Sequence, residues 1–384
     1  MANNLMKSSD IKFVTWAEIN LDNLKHNFLL LKSFLSPKTK YCGVVKANAY
    51  GHGSVEISRF YEKIGADYLA VARLEEGLEL RENGIKLPII LLGYTDTKNC
   101  QLAAKNGIEL SVFSYEMAKD LSEILGENQV KVHIKLDTGM SRIGFVVNDE
   151  SSANLAISEI EKISNLKNIK IVGLFTHFAQ ADDDEFRNLQ LKRYKMVADK
   201  LDIYTKHVSN SIAMVGKKEC EFDMVRAGIC AYGFLPAPNL NLDLKTVMSL
   251  KTTVANVKTL PPNSPISYGC TYHTSQSEKI ATISIGYADG FLRSQKEPKV
   301  LISGVLCDVV GRVCMDQCMV KVPNELDVKM GDEVVIFGDG LLSATDVAKR
   351  WESIDYEVVC AVSRRVARVY KEGEKVVKVV EYLV

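Results

Sequence analysis

Short apolar runs alternate with longer amphipathic stretches over most of the first 245 residues. Eight runs have the composition of buried β-strands: residues 41–46, 68–72, 88–93, 108–113, 130–137, 169–178, 206–211 and 224–229. The stretches 54–65, 74–84, 116–128 and 154–166 between them combine helical spacing of apolar residues with charged faces. This order predicts a parallel sheet covered by helices on both faces. Eight units favour an α/β fold with a closed (β/α)8 TIM-like barrel.

An open, doubly wound sheet is the competing interpretation of the same pattern. Its dinucleotide-binding form carries a G-x-G-x-x-G turn after the first strand. No such turn follows residues 41–46, which disfavours that form.

The pattern changes after residue 245. Runs typical of β-strands, separated by Gly and Asp turns, occupy 250–269, 279–290, 299–322 and 331–340. Residues 343–351 predict one helix, with Ser343 available as its N-cap. We therefore predict a barrel domain over 18–245 and a mainly-β domain over 246–384. The opening segment 11–19 also has strand character, and we expect residues 11–17 to pair with the second domain.

Composition narrows the classes of partner and compartment. The chain has 48 Lys and Arg residues against 48 Asp and Glu, so its formal net charge is zero. We expect neither nucleic acid nor an anionic membrane as partner. The N-terminus lacks the apolar segment of a signal peptide, and no apolar run is long enough for a transmembrane helix. The nine cysteines have no paired spacing, which favours reduced thiols in a cytoplasmic protein.

Metal binding is not predicted either. Cys314 and Cys318 are the nearest to a paired motif, but a zinc site needs closer pairing and further ligands.

The most distinctive candidate for chemistry is Lys46, at the end of the first apolar run. Catalytic groups of such barrels lie at the carboxyl ends of the strands. A lysine amine has an ordinary pKa of ~10.4. Burial lowers that pKa, and the neutral amine can then form a Schiff base. The alternative is a lysine whose stem is buried and whose amine reaches solvent.

The later strands provide further candidates at or just after their ends. For the fifth to eighth runs these are Arg142, His177, His207, Ser211, Arg226, Gly228 and Ile229. Arginine is suited to bidentate recognition of a carboxylate. Loops after strands seven and eight often bind phosphate through backbone N–H groups. Taken one at a time, these residues also have purely structural explanations: His177 as a core histidine, Arg226 in a surface ion pair and Ser211 as a helix cap. Together with Lys46 they indicate lysine-bound pyridoxal 5′-phosphate (PLP).

The chain resembles the alanine racemase family. "VVKANAYGHG" matches the PLP attachment motif of that family. Further matches follow in order along nearly the whole chain: "WAEINLDNLKHN", "KLDTGMSRIGF", "FTHFAQAD", "KHVSNSIA", "VRAGICAYG", "ISYGCTY", "IGYADGF", "VGRVCMDQCMV" and "DYEVVCAVSRRVARVY". The resemblance implies a PLP-dependent racemase that combines a barrel with a β domain.

The resemblance also implies two catalytic bases. Lys46 would carry PLP covalently and act on one face of the substrate Cα. Tyr268, supplied by the other subunit of a head-to-tail homodimer, would act on the opposite face. Two bases on opposite faces are the simplest geometry for racemisation. Without the resemblance, "SYGCTY" fits an ordinary strand edge equally well.

The remaining roles implied by the resemblance concern binding and positioning. Arg226 would face the pyridine nitrogen, and His177 would lie beside the cofactor ring. The phosphate would be held by Tyr50, Ser211, Tyr356 and the backbone N–H groups of Gly228 and Ile229. The substrate carboxylate would be bound by Arg142 and by the backbone N–H of Met315 from the other subunit. Four further residues would not contact the cofactor or the substrate carboxylate. Lys135 is at the position that is carbamylated in many members, and His207 would orient Tyr268 or Arg226. Tyr287 and Asp316 would lie at the pocket entrance.

Three positions depart from the family pattern. Ala227 stands where many members have proline, Cys270 where arginine or alanine is frequent, and Asp355 where asparagine is usual. None of the three replaces a residue with an implied catalytic role. Cys270 lies two residues from Tyr268 and puts the fine tuning of substrate choice in doubt.

Alternative functions follow from the same residues. A racemase of serine or lysine needs a wider pocket, and the bulky Tyr356 beside the substrate methyl favours alanine. An amino-acid decarboxylase of similar fold is disfavoured because its Gly-Gly-Gly phosphate loop is missing. A PLP carrier without turnover is disfavoured by Tyr268 in a second domain. The family implies D-alanine supply for peptidoglycan in the cytoplasm of a bacterium.

Overall fold

The computed structural model describes residues 13–235, 237, 240–338 and 340–383. Two large sheets account for most of its strands. The predicted strand residues 11 and 12 lie outside the described residues.

Eight parallel strands confirm the predicted barrel. Two strands lie outside the barrel: the N-terminal β1 (Thr15–Asn20) and a short β7 (Phe145–Val146) that pairs with the barrel strand β6 (Val130–Asp137). The barrel strands are β2 (Lys40–Val44), β3 (Tyr68–Val71), β4 (Ile89–Leu91), β5 (Ile108–Val112), β6, β8 (Ile169–Phe175), β9 (Thr205–His207) and β10 (Met224–Ala227). Their order is β10-β2-β3-β4-β5-β6-β8-β9. Backbone hydrogen bonds from Asp223 to Lys206 (3.0 Å) and from Arg226 to Ser209 (3.2 Å) join the two ends.

Helices follow most of these strands and cover the barrel. Their bounds are Leu21–Ser33, Ser54–Ile64, Leu74–Glu82, Cys100–Lys105, Tyr115–Leu125, Glu150–Ser164 and Asp184–Ala198. The sequence pattern did not predict the first, fourth and last of these. In Asp184–Ala198 the polar residues Arg187 and Gln190 are buried alongside Leu191 and Tyr194. This weakens the apolar stripe that helix prediction depends on.

The second sheet is built mainly from the C-terminal part of the chain. Its strands are β11 (Met248–Leu260), β14 (Glu278–Ile283), β15 (Lys299–Ile302), β16 (Val305–Val310), β17 (Cys318–Val322), β18 (Glu333–Phe337), β19 (Ala367–Glu372) and β20 (Lys375–Val380). The N-terminal β1 inserts between β11, to which it is antiparallel, and β19, to which it is parallel. The chain therefore enters the barrel from the second sheet.

Two further elements of the C-terminal part bear on the site. Strands β12 (Pro265–Ile266) and β13 (Tyr272–His273) form a hairpin whose loop contains Tyr268. The predicted helix Ala344–Trp351 is present, and the Ser343 side chain caps it by accepting from Asp346 N–H. A second helix, Asp355–Ala361, follows at once.

One contact between the barrel and the C-terminal helix is very close. Gly51 has φ +81°, and a Cβ there would lie 2.1 Å from the Val359 carbonyl oxygen. Gly65 has a similar φ of +86°, but a Cβ there would have no neighbour within 4 Å.

We predict that Gly51→Ala destabilises the protein far more than Gly65→Ala. Both substitutions place a Cβ at positive φ, which costs about 1 kcal/mol. Gly51→Ala must in addition displace the helix Asp355–Ala361, at a further ~1–3 kcal/mol. Chemical denaturation of the two variants measures the difference. Equal loss of stability in both would show that the contact with Val359 is not tight.

Candidate active site

A pocket opens at the carboxyl ends of the barrel strands, where the sequence analysis expected chemistry. It is lined by Val44, Lys46, Tyr50, Leu92, His177, Asn210, Ser211, Ile212, Arg226, Gly228, Ile229 and Tyr356. All eight residues predicted to contact the cofactor are among them. The structure thus brings together side chains that are up to 310 residues apart in sequence, from Lys46 to Tyr356.

Lys46 does not end the first barrel strand but follows it. Strand β2 stops at Val44, and Lys46 begins a left-handed helical turn. Ala47, Asn48, Ala49 and Tyr50 have φ between +51° and +55°. Each non-glycine residue in this conformation costs roughly 1–2 kcal/mol. Such a run of strained residues is typical of functional sites held by their surroundings.

Hydrogen bonds on both sides hold this turn. The Ala47 N–H donates to Glu76 (2.6 Å), and the Asn48 side chain accepts from Ser54 N–H (2.9 Å). From the C-terminal part, Arg368 donates to the Gly51 carbonyl (3.0 Å) and Tyr370 donates to the His52 carbonyl (2.9 Å). The second sheet therefore helps to fix the position of Lys46.

The environment of Lys46 favours its neutral amine. Burial lowers the pKa of Lys46, and the positive charge of Arg142 lowers it further. A neutral amine is the reactive form toward a carbonyl carbon. Lys46 is partly buried in the pocket and begins a turn, so it is not a side chain at a strand end.

Arg226 is buried at the bottom of the pocket, with 3% of its surface exposed. Its Nη1 donates to His207 Nδ1 (2.7 Å) and to the His207 carbonyl (3.1 Å). Its Nη2 donates to the carbonyls of Thr176 (2.9 Å) and Val208 (3.0 Å). Burial lowers the pKa of Arg226 to about 10. This excludes the surface ion pair considered above and shows that His207 contacts Arg226.

His177 lies next to Arg226, with its Nδ1 at 3.5 Å from the guanidinium. Burial lowers the pKa of His177 to about 2, and the neighbouring Arg226 contributes to that shift. The ring is therefore neutral at physiological pH and can accept or donate a hydrogen bond in the pocket.

The opposite side of the pocket is a narrow polar cradle. Ser211 Oγ accepts from Gly228 N–H (3.0 Å). A Cβ on Gly228 would lie 3.0 Å from Tyr50 Oη and 3.3 Å from Ser211 Oγ. The Tyr356 ring is 6.0 Å from that of Tyr50. A glycine backbone facing hydroxyl groups, with a lysine and an arginine nearby, fits a phosphate-bearing aldehyde cofactor.

One local expectation was wrong. Ser211 is followed by turns over 211–216 and not by a helix. The side chain of Asn210 accepts from the backbone N–H of Ile212 (3.2 Å) and Ala213 (3.1 Å), which stabilises this turn.

Lys135 and Arg142 lie near the pocket without lining it. Lys135 is buried, with Nζ 4.5 Å from the centre of the Phe175 ring. Burial lowers the pKa of Lys135 well below its ordinary value, and Arg226 and Arg142 lower it further. A neutral amine is the form of lysine that carbamylation requires. Arg142 belongs to an exposed loop that Asp137 Oδ1 holds by accepting three N–H groups at 3.0 Å each.

The residues expected from the partner subunit are exposed and do not line this pocket. Tyr268 is 66% and Met315 53% exposed. Ser267 and Cys270, on either side of Tyr268, have positive φ. Non-glycine residues rarely adopt this conformation, and strained residues of this kind cluster at functional sites.

Tyr287 and Asp316 lie close to this exposed surface. The Tyr287 N–H donates to the Cys314 carbonyl (3.2 Å). Asp316 pairs with Arg365 (2.8 Å). The four residues expected at the subunit boundary or the entrance therefore share one region of the C-terminal part.

Sequence reasoning missed several residues of the site. Val44, Leu92, Asn210 and Ile212 line the pocket but were given no role, although all except Leu92 lie inside motifs quoted above. His133 and Glu109 were missed too, although each is a buried polar residue in an apolar strand. A polar residue in such a run is the signal that would have found them.

Two negative observations concern other classes of protein. Within the ranges given above, no group of three or more His, Cys, Asp or Glu side chains is arranged to hold a metal ion. Over the same residues, the helices are too short or too polar to traverse a bilayer.

A barrel with a lysine on a strained turn, a buried arginine and a polar cradle around Gly228 defines a class of two-part (β/α)8 enzymes. Comparison with known proteins gives the family. The model of the alanine racemase N-terminal domain matches residues 19–236, and that of the alanine racemase C-terminal domain matches 247–370. The chain belongs to the alanine racemase family.

Individual relatives match over nearly their whole length. An alanine racemase of Methanococcus maripaludis is 43% identical over 371 residues, 92% of this chain and 98% of the relative. The solved structure of alanine racemase from Clostridium difficile 630 is 48% identical, with a TM-score of 0.94 over 98% of this chain and 100% of that one. A histidine racemase from Leuconostoc mesenteroides is 28% identical, with a TM-score of 0.86 over 94% and 99% of the two chains.

The lowered pKa of Lys46 generates a test on the cofactor-free protein. A lowered pKa means that the amine loses its proton, and becomes reactive, at lower pH. We predict that an amine-reactive reagent labels Lys46 with a midpoint below that of Nα-acetyl-lysine amide. Peptide mapping by mass spectrometry over a pH series measures the midpoint pH of Lys46 labelling. A midpoint at or above that of the reference compound would contradict the prediction.

Proposed function

We propose that this chain is an alanine racemase, which interconverts L-alanine and D-alanine with PLP by a two-base mechanism. The observation that carries the proposal is the pocket itself, in which a partly buried lysine of lowered pKa and a buried Arg226 face the cradle around Gly228. Family membership supports the same conclusion.

In this proposal the chain's own residues hold the cofactor. Lys46 supplies the amine, and Tyr50, Ser211, Tyr356 and the backbone at Gly228 and Ile229 bind the phosphate. Bound there, PLP supplies an electron sink that acidifies the Cα–H of an attached amino acid.

Arg226 keeps the far side of the cofactor site polar and positively charged. Four of its five N–H donors are taken by His207, Thr176 and Val208. Nε–H is the donor left for the pocket. We propose that it donates to the ring nitrogen and keeps that nitrogen unprotonated, while His177 lies beside the ring.

Proton transfer would need one base on each face of the substrate Cα. Lys46 Nζ would hold or release the proton on the face used by D-alanine. Tyr268 Oη would do so for L-alanine. Arg142 and the Met315 backbone N–H would bind the substrate carboxylate. Lys135, in its carbamylated form, would orient Arg142, and Tyr287 and Asp316 would line the entrance.

A homodimer is part of this proposal. Tyr268 and Met315 are exposed and lie outside the pocket of their own chain. A head-to-tail partner would bring its copies of both residues to the pocket and complete it. The partly buried lysine and the exposed tyrosine then belong to one site made by two chains.

We propose the division into a barrel over 18–245 and a mainly-β domain over 246–384 with residues 11–17. The physiological role we propose is D-alanine supply for peptidoglycan in the cytoplasm. Membership of the family supports this role, and no residue of the pocket bears on it.

A racemase of another amino acid is the second candidate. The structural likeness to a histidine racemase favours it, because that fold accommodates a larger side chain. In this chain the pocket is lined by the bulky Tyr356 and by Leu92, which leaves less room for a large substrate side chain. In an apolar pocket, one methylene group more or less on the substrate changes the free energy of discrimination between two substrates by only ~1–3 kcal/mol. Slow turnover of serine is therefore compatible with either candidate.

We predict that the purified enzyme racemises alanine at least about tenfold faster, in kcat/KM, than serine, lysine or histidine. Its activity should depend on added PLP after the cofactor is removed. Chiral chromatography of the products, with both enantiomers as starting material, measures the preference. Faster turnover of histidine or lysine would favour the second candidate. No racemisation of any of the four would overturn both.

The two-base assignment predicts the behaviour of Tyr268→Phe. We expect kcat to fall by about 100-fold or more in both directions, because general-base catalysis contributes ~10²–10⁴-fold. The variant should still bind PLP. In D2O it should retain deuterium incorporation into D-alanine, which uses Lys46, and lose it for L-alanine.

Tyr272→Phe is the matched control. Tyr272 lies in the same hairpin, and its hydroxyl donates to Glu278 (2.6 Å). Its substitution should leave kcat and deuterium incorporation unchanged. Near-normal racemisation by Tyr268→Phe would show that the phenol is not a base.

A further inference from the structure

Four buried polar side chains form a continuous chain of hydrogen bonds behind the pocket. Arg226 Nη1 lies 2.7 Å from His207 Nδ1, and His207 Nε2 lies 3.0 Å from His133 Nδ1. His133 Nε2 lies 2.9 Å from Glu109 Oε2. The two histidines have no exposed surface, and Glu109 and Arg226 are each 3% exposed.

This chain of side chains crosses the inside of the barrel. Glu109 is the second residue of β5, near the amino end of that strand, and His133 is in the middle of β6. His207 ends β9, and Arg226 is on β10 at the pocket. The hydrogen bonds therefore connect the bottom of the pocket with the opposite end of the barrel. There Lys131 Nζ, which is exposed, lies 3.6 Å from Glu109 Oε1.

The fold makes room for the two rings. A Cβ on Gly173 would lie 1.9 Å from His133 Nδ1, so the ring occupies the space that a larger residue on β8 would fill. Phe175, two residues further on the same strand, stacks on His207 with 4.8 Å between ring centres and 2° between ring planes. Each imidazole is thus held in one orientation by packing as well as by hydrogen bonds.

The chemistry of the two ends fixes every proton between them. A guanidinium has no acceptor, so Arg226 must donate to His207 Nδ1, which is therefore unprotonated. His207 then carries its proton on Nε2 and donates it to His133 Nδ1. His133 in turn carries its proton on Nε2 and donates it to the Glu109 carboxylate. Any other arrangement places two donors or two acceptors face to face at 3 Å or less.

We propose that Glu109 and His133 are positioning residues that lock His207 in its Nε2–H tautomer and thereby hold the guanidinium of Arg226 in place. The locked His207 accepts from Nη1, which leaves Nε–H as the N–H group of Arg226 that these hydrogen bonds do not use. Only the role given to Arg226 in the pocket rests on the proposed function. The tautomers themselves do not depend on it.

The experiment measures the tautomers directly in the cofactor-free protein. Long-range ¹H–¹⁵N correlation spectra of ring-¹⁵N-histidine protein distinguish protonated from unprotonated ring nitrogens. The wild-type protein should show both His133 and His207 neutral, with the proton on Nε2. A cationic ring, or a proton on Nδ1 of either residue, would overturn the proposal without any variant being made.

Variants at Glu109 test what holds these tautomers. Glu109→Leu removes the acceptor of His133 Nε2–H, so His133 should move its proton to Nδ1 and donate to His207 Nε2. The proton of His207 then moves to Nδ1, and Arg226 Nη1, which can only donate, must leave that nitrogen. We expect about tenfold lower kcat, typical of the loss of an outer positioning partner. Glu109→Gln keeps a carbonyl acceptor and should retain both the Nε2–H tautomers and most of the activity.

Ser111→Ala is the matched control, since Ser111 is buried two residues further along β5 and donates only to the Leu91 carbonyl (2.6 Å). It should change neither tautomers nor kcat. Unchanged His207 tautomers in Glu109→Leu would overturn the proposal even if kcat fell, since packing alone would then explain the fall. Failure of racemisation in every variant, with the expected tautomers, would instead count against the proposed function.

Discussion

A guanidinium buried in a barrel must find hydrogen-bond acceptors, and much of this site follows from that requirement. Removing a charge from water costs several kcal/mol unless polar partners replace the solvent. Arg226 finds its partners in the carbonyls of Thr176, His207 and Val208 and in the His207 ring. These acceptors come from the ends of β8 and β9 and from the residues that follow them. The position of Arg226 is thus decided by three strands together.

The charge of Arg226 also shapes the rest of the pocket. Its acceptors are neutral, and the nearest carboxylate in its hydrogen-bond chain, Glu109, lies two imidazole rings away. The positive field therefore stays uncancelled where the pocket opens. After burial, Arg226 is the strongest cause that lowers the pKa values of Lys135 and His177. A site of this kind suits an anionic ligand and keeps nearby amines and imidazoles neutral.

The second structural unit contributes to the pocket in two ways. Arg368 and Tyr370 bind the carbonyls of Gly51 and His52 and so hold the strained turn that begins at Lys46. The helix Asp355–Ala361 supplies Tyr356 to the pocket wall and packs against Gly51. A barrel alone would have to maintain four left-handed residues without this support.

The sequence by itself determined most of the alternation of strands and helices, the barrel, and eight of the twelve residues that line the pocket. Periodicity is a local property, and the motif around Lys46 is contiguous, so both are readable from neighbouring letters. The left-handed turn, the burial of Arg226 and the Glu109–His133–His207 chain were decided only by the tertiary structure. Glu109 and His207 are 98 residues apart, and nothing in either local sequence specifies that one ring will join them. The physical reason is that hydrogen-bond partners inside a closed barrel are chosen by the register of strands that are distant in the chain.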